Sequence, residues 1–594
     1  MRMLSSLEIE YRRERGIALE LQESQQTLSK KKIAVLSTFE IRLIKPYLQE
    51  ALERIGCYST VYISGYGQLF QEILDPASAF YQIEPEEIII IPAVEDCLLP
   101  LFSSPTKLLP EDIQSLIAER LAELENAITI LLARLPKANC YLVTFGSLQM
   151  PLGHLLNPQL SARGQIGIEF WLKSIRELGN LSRRIVIADW DWHSQALGKL
   201  AFFDERLWYI GRMRLNPLGL ATLADFISRY IAANYNLTRK ALIVDVDNTI
   251  WGGVVGEVGL KGLVLGEEGS GLAFQDVQRE LLKLHDIGVV LALCSKNNPD
   301  DVWDVFDHHP GMVLEREHFA AVQINWQDKA SNVLALSEEL RLGLDSLVLL
   351  DDSQVEQEWI RMALPAVLVL DLPGEIAYRP QFLRDLPYFL RLTLTNEDLL
   401  RASTYKNRSE RLQMREHFST LEDFLISLEQ EITVQRVQEN TLTRAAQLCQ
   451  RTNQFNLTTH HHTIADIEQM MGDTTKEVYI LAVQDRFGDN GVTGLCILHL
   501  DGLNAHIETF LLSCRVLGRK IEDAFLLFVA DRARIRGAHF LIGQYRPTAK
   551  NEQVADFYTS HNFEAIGDGY FRFDLEKQEL DRSILNIMRV VTHA

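Results

Sequence analysis

Two aspartates stand two residues apart at the end of an apolar run. The stretch is KALIVDVDNTIWGGVVGE, residues 240–257, and the acids are Asp245 and Asp247. Ala241-Leu242-Ile243-Val244 reads as a buried parallel strand. A turn or helix cap is the bland use for such a pair. The chemical use is sharper. Two buried acids repel unless a cation holds them, and Mg²⁺ takes a few carboxylate oxygens while keeping several waters. A carboxylate can also attack phosphorus and form an aspartyl phosphate, while a second acid protonates the leaving oxygen and later activates water. Three further pieces follow along the chain. VVLALCSKNN, residues 289–298, ends an apolar strand on Ser295, a hydroxyl suited to holding a phosphoryl oxygen. Lys329, in NWQDKASN, can neutralise a phosphate or a nucleophile. SLVLLDDS, residues 346–353, ends a third strand on Asp351 and Asp352. Singly these are a turn serine, a surface lysine and capping acids. Together, in one order on successive strand–helix units, they form a constellation for phosphoryl transfer.

Such residues meet only if their strands lie in one open parallel sheet, whose carboxyl ends share a crevice. ALIVDV, VVLALCS and SLVLLDD, with helical patterns between them, supply that sheet up to about Asp371. An earlier alternation precedes it: IAVLSTFE, YSTVYISG, EEIIIIPA, ANCYLVTFG and RRIVIADWD, closed by the helical LATLADFISRYIAAN. From Ile432 the pattern changes to longer strands, VYILAVQD, VTGLCILHLDG and NAHIETFLLSC, then a helix and HFLIGQYR. The expected fold class is α/β and multidomain. Residues 1–236 form an α/β sheet domain with a polar N-terminal helix over about 1–30. Residues 237–372 form the central Rossmann-like parallel sheet, 373–430 a charged helical connector, and 431–594 an α+β domain.

The 594 residues suit roughly three to four domains. A net charge of -21 argues against nucleic-acid binding. It would also repel an acidic protein partner unless some local patch is basic. Seven scattered cysteines make no disulfide framework and point to a reducing cytoplasm. No run is long enough to span a bilayer, and MRMLSSLEIEYRRERG lacks the apolar stretch of a signal peptide, so no membrane association is expected.

The order of acids, hydroxyl, lysine and acids resembles the haloacid dehalogenase (HAD) superfamily of phosphotransferases. The resemblance implies Asp245 as nucleophile and Asp247 as acid/base, with the Asp247 backbone carbonyl on Mg²⁺. It implies Thr249 and Ser295 on phosphoryl oxygens, Asn297 beside them in the substrate site, and Lys329 stabilising charge. The metal set is Asp245, Asp247, Asp351 and Asp352, with Asp352 favoured over Asp351 as ligand. DVDNTIWGGVVGE, LALCSKNN, INWQDKASN and LLDDSQVEQEW look like the FkbH-like branch of that superfamily. RTNQFNLTT, DRFGDNG, SCRVLGR and PTAKN extend the likeness, over about residues 200–575. Val258 and Gln354 depart from the branch's usual acid and proline. The branch diverts 1,3-bisphosphoglycerate into glyceryl units on acyl carrier proteins for polyketide biosynthesis. The implied activity is therefore an Mg²⁺-dependent glyceryl transferase/phosphatase whose partners are 1,3-bisphosphoglycerate and a holo acyl carrier protein. The alternative is a plain HAD phosphatase of a small phosphorylated metabolite with a CoA-binding module.

FLLSCRVLGRKIEDAFL reads as strand, turn and helix start, with Arg515, Gly518, Arg519 and Lys520 at the turn. A helix N-terminus with cationic side chains cradles phosphate. This resembles the acyl-CoA site of GNAT N-acetyltransferases, where a pantetheine arm threads between strands. Arg546 and Lys550 would add to a basic patch for an acidic carrier. Cys514, beside Arg515 and a helix start, is the candidate relay nucleophile for a glyceryl thioester. Cys294 is the rival, inside an apolar strand and pointing opposite to Ser295. Asn453, Gln454, Asn456 and the loop 485–491 either line an acyl pocket or stabilise loops. His460-His461-His462 cannot converge on one ion and is assigned no site. The N-terminal sheet resembles an SGNH-hydrolase-like domain. Ser37 and His193 are its candidate remnants, without the glycine-rich nucleophile context or the Asp-x-x-His spacing, and it is read as a docking or structural domain.

Overall fold

The computed structural model describes residues 28–103, 108–147, 158–235, 237–394, 411, 414–415, 418–452, 454–548 and 551–593. Residues 1–27 of the expected N-terminal helix lie outside the described residues, and 28–30 already belong to the first strand. The chain divides into two compact units, Met1–Leu237 and Thr238–Ala594.

The first unit is built on β1 (Leu28–Ser37), β2 (Cys57–Ile63), β3 (Glu87–Ile91), β4 (Asn139–Val143) and β5 (Ile185–Ala188). They form one parallel sheet in the order β2-β1-β3-β4-β5. The isoleucine run of β3 is buried throughout, as a strand covered on both faces requires. Ile89 and Ile91 join one core with Ile33 and Val35, while Ile88 and Ile90 join the opposite core with Ala34 and Leu36. Ser37 ends β1 buried, and its hydroxyl accepts the Phe39 backbone N–H at 3.2 Å. His193 stacks on Phe226 at 4.7 Å, and burial pushes its imidazole down to about 3, which keeps it neutral. Both residues are built into packing.

The second unit holds two sheets. The first has β6 (Ala241–Val244), β7 (Val290–Ser295), β8 (Phe319–Ile324), β9 (Leu347–Leu350) and β10 (Leu368–Val369), all parallel, in the order β10-β9-β6-β7-β8. The chain runs outward from β6 through β7 to β8, then returns to place β9 on the other side of β6. That reversal puts the crevice between the ends of β6 and β9. The second sheet is mixed and contains β11 (Glu431–Arg436), β13 (Lys476–Asp485), β14 (Gly488–Asp501), β15 (Asn504–Leu512), β16 (Phe540–Gln544), β17 (Glu564–Gly567), β18 (Tyr570–Asp574) and β19 (Arg589–His593). The helix Ile521–Ile535 lies in its core through Phe525, Leu526 and Val529. Residues 376–391, placed in the connector by sequence, dock on the first sheet's side: Arg384 pairs with Glu280 at 2.9 Å and Phe382, Leu383, Tyr388 and Phe389 are buried.

Within the second sheet, β15 and β16 pair in parallel only from Asn504–Phe540 to Ile507–Gly543 and then part. The edge of β15 exposed by that parting is taken by β12 (Phe455–Asn456), which pairs with Leu512 and Leu511. Leu457 N–H donates to Phe510 O at 3.1 Å and Thr458 Oγ1 to Glu508 O at 2.9 Å. On the far side, Arg546 N–H donates to Leu457 O at 2.8 Å and Asn551 Nδ2 to Asn456 O at 2.9 Å. The segment is thus a strand-like wedge bonded on both flanks.

The turn after β6 is fastened from beneath. Gln278, on the helix Gly269–Asp286, is fully buried; its Nε2 donates to Ile250 O at 2.8 Å and its Oε1 accepts Val313 N–H at 2.8 Å and Leu314 N–H at 3.1 Å. A leucine there fills similar space but leaves buried backbone groups unpaired. Gln278→Leu is expected to destabilise the second unit by about 2–4 kcal/mol, at roughly 1–3 kcal/mol per orphaned group with partial relaxation. Urea unfolding followed by tryptophan fluorescence reads this; an unchanged midpoint would remove Gln278 from the support of the turn.

Candidate active site

Four of the functional side chains lie at the carboxyl ends of strands whose own residues are wholly buried. Asp245 follows β6, and its backbone N–H continues the ladder to Leu350 O at 3.0 Å. Asp351 and Asp352 follow β9, Ser295 closes β7, and Lys329 opens the helix Lys329–Leu340 after β8. Asp328 caps that helix, accepting Ser331 N–H at 3.1 Å, which fixes the direction in which Lys329 leaves it.

Lys329 is 3% exposed and sits between two carboxylates. Its Nζ donates to Asp245 Oδ1 at 2.9 Å and to Asp351 Oδ2. Burial opposes the ammonium, yet Asp245 and Asp351 hold its pKa above the usual lysine value. Burial pushes the Asp245 carboxyl up, Lys329 opposes this, and the Asp351 charge adds to it. Burial and Asp351 likewise raise Asp352. Ligand oxygens of Asp245, Asp351 and Asp352 lie within 4.8 Å of one another. Three hard oxygen donors against one ammonium leave negative charge unspent, which suits a divalent cation. Asp351 is engaged on both oxygens, since Oδ1 accepts Ser353 N–H at 2.9 Å while Oδ2 meets Lys329. Asp352, half-buried, is the member turned toward solvent.

Asp247 is held differently. Its Oδ1 accepts Trp251 Nε1–H at 2.8 Å and Val255 N–H at 3.1 Å, and its Oδ2 accepts Asn297 Nδ2–H at 2.8 Å. Its carboxylate therefore stands outside the three-acid cluster, and the metal role expected of Asp247 is that of its backbone carbonyl. Asn297 also donates to Ser295 Oγ at 3.3 Å, so Asp247, Asn297 and Ser295 form one chain. Thr249 is 1% exposed, and its hydroxyl has no hydrogen-bond partner among the described residues. An orphaned buried hydroxyl two residues from Asp247 fits a role in holding a phosphoryl oxygen. Trp251, Val255 and Gln278 are missed by motif reading. The tryptophan stands inside the quoted motif, but its indole N–H is legible as a ligand of Asp247 only once the turn is folded.

Cys294 packs among Ala292, Ile243 and Val333, and burial pushes its thiol up to about 12, so it is a core residue. The turn after β15 begins at Cys514, whose side chain lies outside the described residues, as do Asn453 and Lys550. Arg515 Nη1 donates to Asn490 O at 3.3 Å. Arg519 is buried, donating to Asp485 at 2.5 Å, to Asn490 Oδ1 at 3.3 Å and to Arg515 O at 2.9 Å. Arg411 and Arg519 hold Asp485 below the usual carboxylate range despite its burial. Arg519 thus braces the loop 485–491. Asn456 does the same for its own turn, accepting Thr458 and Thr459 N–H groups. Gly518 and Lys520 are exposed with left-handed backbone, at φ +75° and +57°. The first turn of the following helix carries Glu522 and Asp523, acids where a phosphate cradle would favour anion-binding groups. Residues 455–458 lie where β15 and β16 part.

No protein family and no curated protein matches the chain. Among solved structures, it is similar to the N-terminal part of a Bacteroides fragilis protein containing a phosphatase domain, complexed with Mg. The identity is 25% and the TM-score 0.57, covering 62% of this chain and 96% of that one. The ribosomal-protein-S18-alanine N-acetyltransferase of Escherichia coli matches 24% of this chain and 94% of its own, at 14% identity and TM-score 0.20. An N-acetyltransferase of Staphylococcus aureus Mu50 matches 24% of this chain and 98% of its own, at 13% identity and TM-score 0.20. Among the described residues no helix is long and apolar enough to cross a membrane.

Replacing Lys329 strands two buried carboxylates. Lys329→Met is expected to cost about 3–5 kcal/mol. Millimolar Mg²⁺ should raise the variant's thermal midpoint more than the wild type's, because a bound cation takes over the missing charge. A variant as stable as wild type, or indifferent to Mg²⁺, would contradict the charge balance described.

Proposed function

We propose that the chain is an Mg²⁺-dependent enzyme of the HAD type that dephosphorylates 1,3-bisphosphoglycerate and loads the glyceryl unit onto an acyl carrier protein for polyketide biosynthesis. The observation that carries the phosphoryl half is Lys329 between Asp245 and Asp351, with Asp352 completing an acid cluster at the β6–β9 crevice. The Mg complex of the Bacteroides fragilis phosphatase domain supports the choice of metal. Asp245, Asp351 and Asp352, with the Asp247 carbonyl, would hold Mg²⁺, which when bound supplies positive charge against the phosphoryl oxygens.

In this reading an Asp245 carboxylate oxygen attacks the phosphorus of the 3-phosphate, and the P–O bond to the glyceryl oxygen breaks. Asp247 delivers the proton to that oxygen. It then takes a proton from the water that cleaves the aspartyl phosphate, releasing inorganic phosphate and restoring Asp245. Trp251, Val255 and Asn297 keep the Asp247 carboxyl aimed through both steps. Thr249 and Ser295 hydroxyls bind phosphoryl oxygens, and Lys329 neutralises charge on the nucleophile. The 1-phosphate leaves in acyl transfer: the Cys514 thiolate attacks the acyl carbon, phosphate departs with the bonding electrons, and the carrier's thiol displaces Cys514 from the thioester. An acyl phosphate is already activated, so this step needs orientation above all.

The wedge Phe455–Thr458 favours a second reading, a plain Mg²⁺ phosphatase of a small phosphorylated metabolite, because it fills the slot expected for a pantetheine arm. Intact mass spectrometry separates the two. Wild-type protein with 1,3-bisphosphoglycerate and Mg²⁺ should gain a glyceryl adduct, lose it to an added holo carrier, and gain none as Cys514→Ala. Phosphate release without adduct or loaded carrier would leave the plain phosphatase. Chelation by EDTA should abolish release of the phosphate that is cleaved through Asp245 in either reading.

A further inference from the structure

The segment between the two sheets of the second unit sends one buried cation onto the turn after β6. Arg379 begins the short helix Arg379–Arg384 and is 8% exposed. Its Nη1 donates to Asn248 O at 2.5 Å and its Nε to Pro373 O at 2.9 Å. Asn248 lies between Asp247 and Thr249 with left-handed backbone, φ +51°. Its own Oδ1 accepts Gly253 N–H at 2.9 Å, closing the turn on itself. The guanidinium therefore locks, from outside, the turn that presents both the acid/base and the orphaned hydroxyl. Its charge also bears on the metal set, because the carbonyl it holds belongs to the residue after Asp247, whose own carbonyl the set includes, and because Arg379 opposes the upward push of burial on Asp352. Lys329 offsets Asp245 and Asp351 by direct contact, and Arg379 adds a second positive charge at the turn.

Resting on the reading of this centre as Mg²⁺-dependent, we propose that Arg379 is its positioning residue from the inter-sheet segment: it fixes the Asp247–Thr249 turn for reaction and lowers the site's affinity for the divalent cation. The two effects have opposite signatures. A residue that merely supported the fold would, when removed, weaken cation binding and turnover together. Removing Arg379 instead withdraws a positive charge from the turn next to the metal set while loosening that turn.

Calorimetric titration of Mg²⁺ into the full-length chain, with phosphate release measured in parallel, tests this. Arg379→Met should bind Mg²⁺ roughly 5–10-fold more tightly, as expected for one charge removed at short range in a screened site. It should also release phosphate roughly 10–100-fold more slowly, the order expected when a reacting group is misplaced. Arg379→Lys keeps the charge but cannot fork to both carbonyls. It should keep Mg²⁺ affinity within about twofold while still turning over more slowly. If Arg379→Met loses its circular-dichroism signature, Arg379→Gln, uncharged but able to donate one bond, gives the same cation reading. Mg²⁺ affinity unchanged or weakened in a folded uncharged variant overturns the inference and leaves the Mg²⁺ centre standing. Failure of the wild type to bind Mg²⁺ overturns the centre itself, and with it the inference.

Discussion

One buried ammonium between two buried carboxylates sets the terms for the rest of the phosphatase centre. Taking three charges out of water costs several kcal/mol per ion, and only close, well-aimed pairing recovers it. Lys329, Asp245 and Asp351 meet that requirement because each is anchored by an element that cannot shift alone. β6 and β9 are hydrogen-bonded neighbours in register, Ala241 opposite Leu347 and Val244 opposite Leu350. The next residues along each strand, Asp245 and Asp351, are thereby forced side by side. The helix Lys329–Leu340 then delivers the cation from its first position. Even with Arg379 nearby, Lys329 is the one ammonium in contact with the cluster of three acids, so the cluster remains short of positive charge, which suits it to a divalent cation.

Around this core the protein separates two jobs that both call for carboxylates. Asp245 is buried beside Lys329, where its environment suits a nucleophile shielded from water. Asp247, two residues on, is turned into a ring of donors from Trp251, Val255 and Asn297. Its place is set by its own turn and the end of β7, independent of the cluster. The turn is held from below by Gln278 and from outside by Arg379, so the two acids keep separate positions although only Val246 lies between them.

Much of this was legible in the sequence because strand ends are local facts. An apolar run that stops on a charged or hydroxyl residue marks a buried strand and a crevice at once, and Asp245, Ser295, Asp351 and Asp352 all announce themselves that way. The parallel pairing of the sheets was implied by the alternation of strands and helices; their strand order was not. Gln278 and Arg379 gave no such signal, because each is an ordinary helix residue whose partners lie far away in the chain. The wedge at Phe455–Asn456 was unreadable for a similar reason: two residues make too short a strand to show a period, and its pairing depends on where β15 and β16 part. Arg519 looked like a phosphate ligand from its turn, yet Asp485, thirty-four positions earlier, claims it. Charged residues are assigned by their partners, which spacing alone does not show.

The central claim is that Asp245 attacks phosphorus. Peptide mapping of an acid-quenched Asp247→Asn variant, mixed with 1,3-bisphosphoglycerate and Mg²⁺, tests it most directly, because without the Asp247 base a phosphoryl-enzyme should form and fail to hydrolyse. Loss of the Asp247 proton slows cleavage of the 3-phosphate, whereas loss of the base blocks hydrolysis, so the phosphoryl group drawn from that phosphate collects on the enzyme. The account predicts one phosphoryl group on the peptide carrying Asp245, lost when Asp245 is also changed to asparagine. A phosphoryl group elsewhere, or steady phosphate release from Asp245→Asn protein, would contradict it.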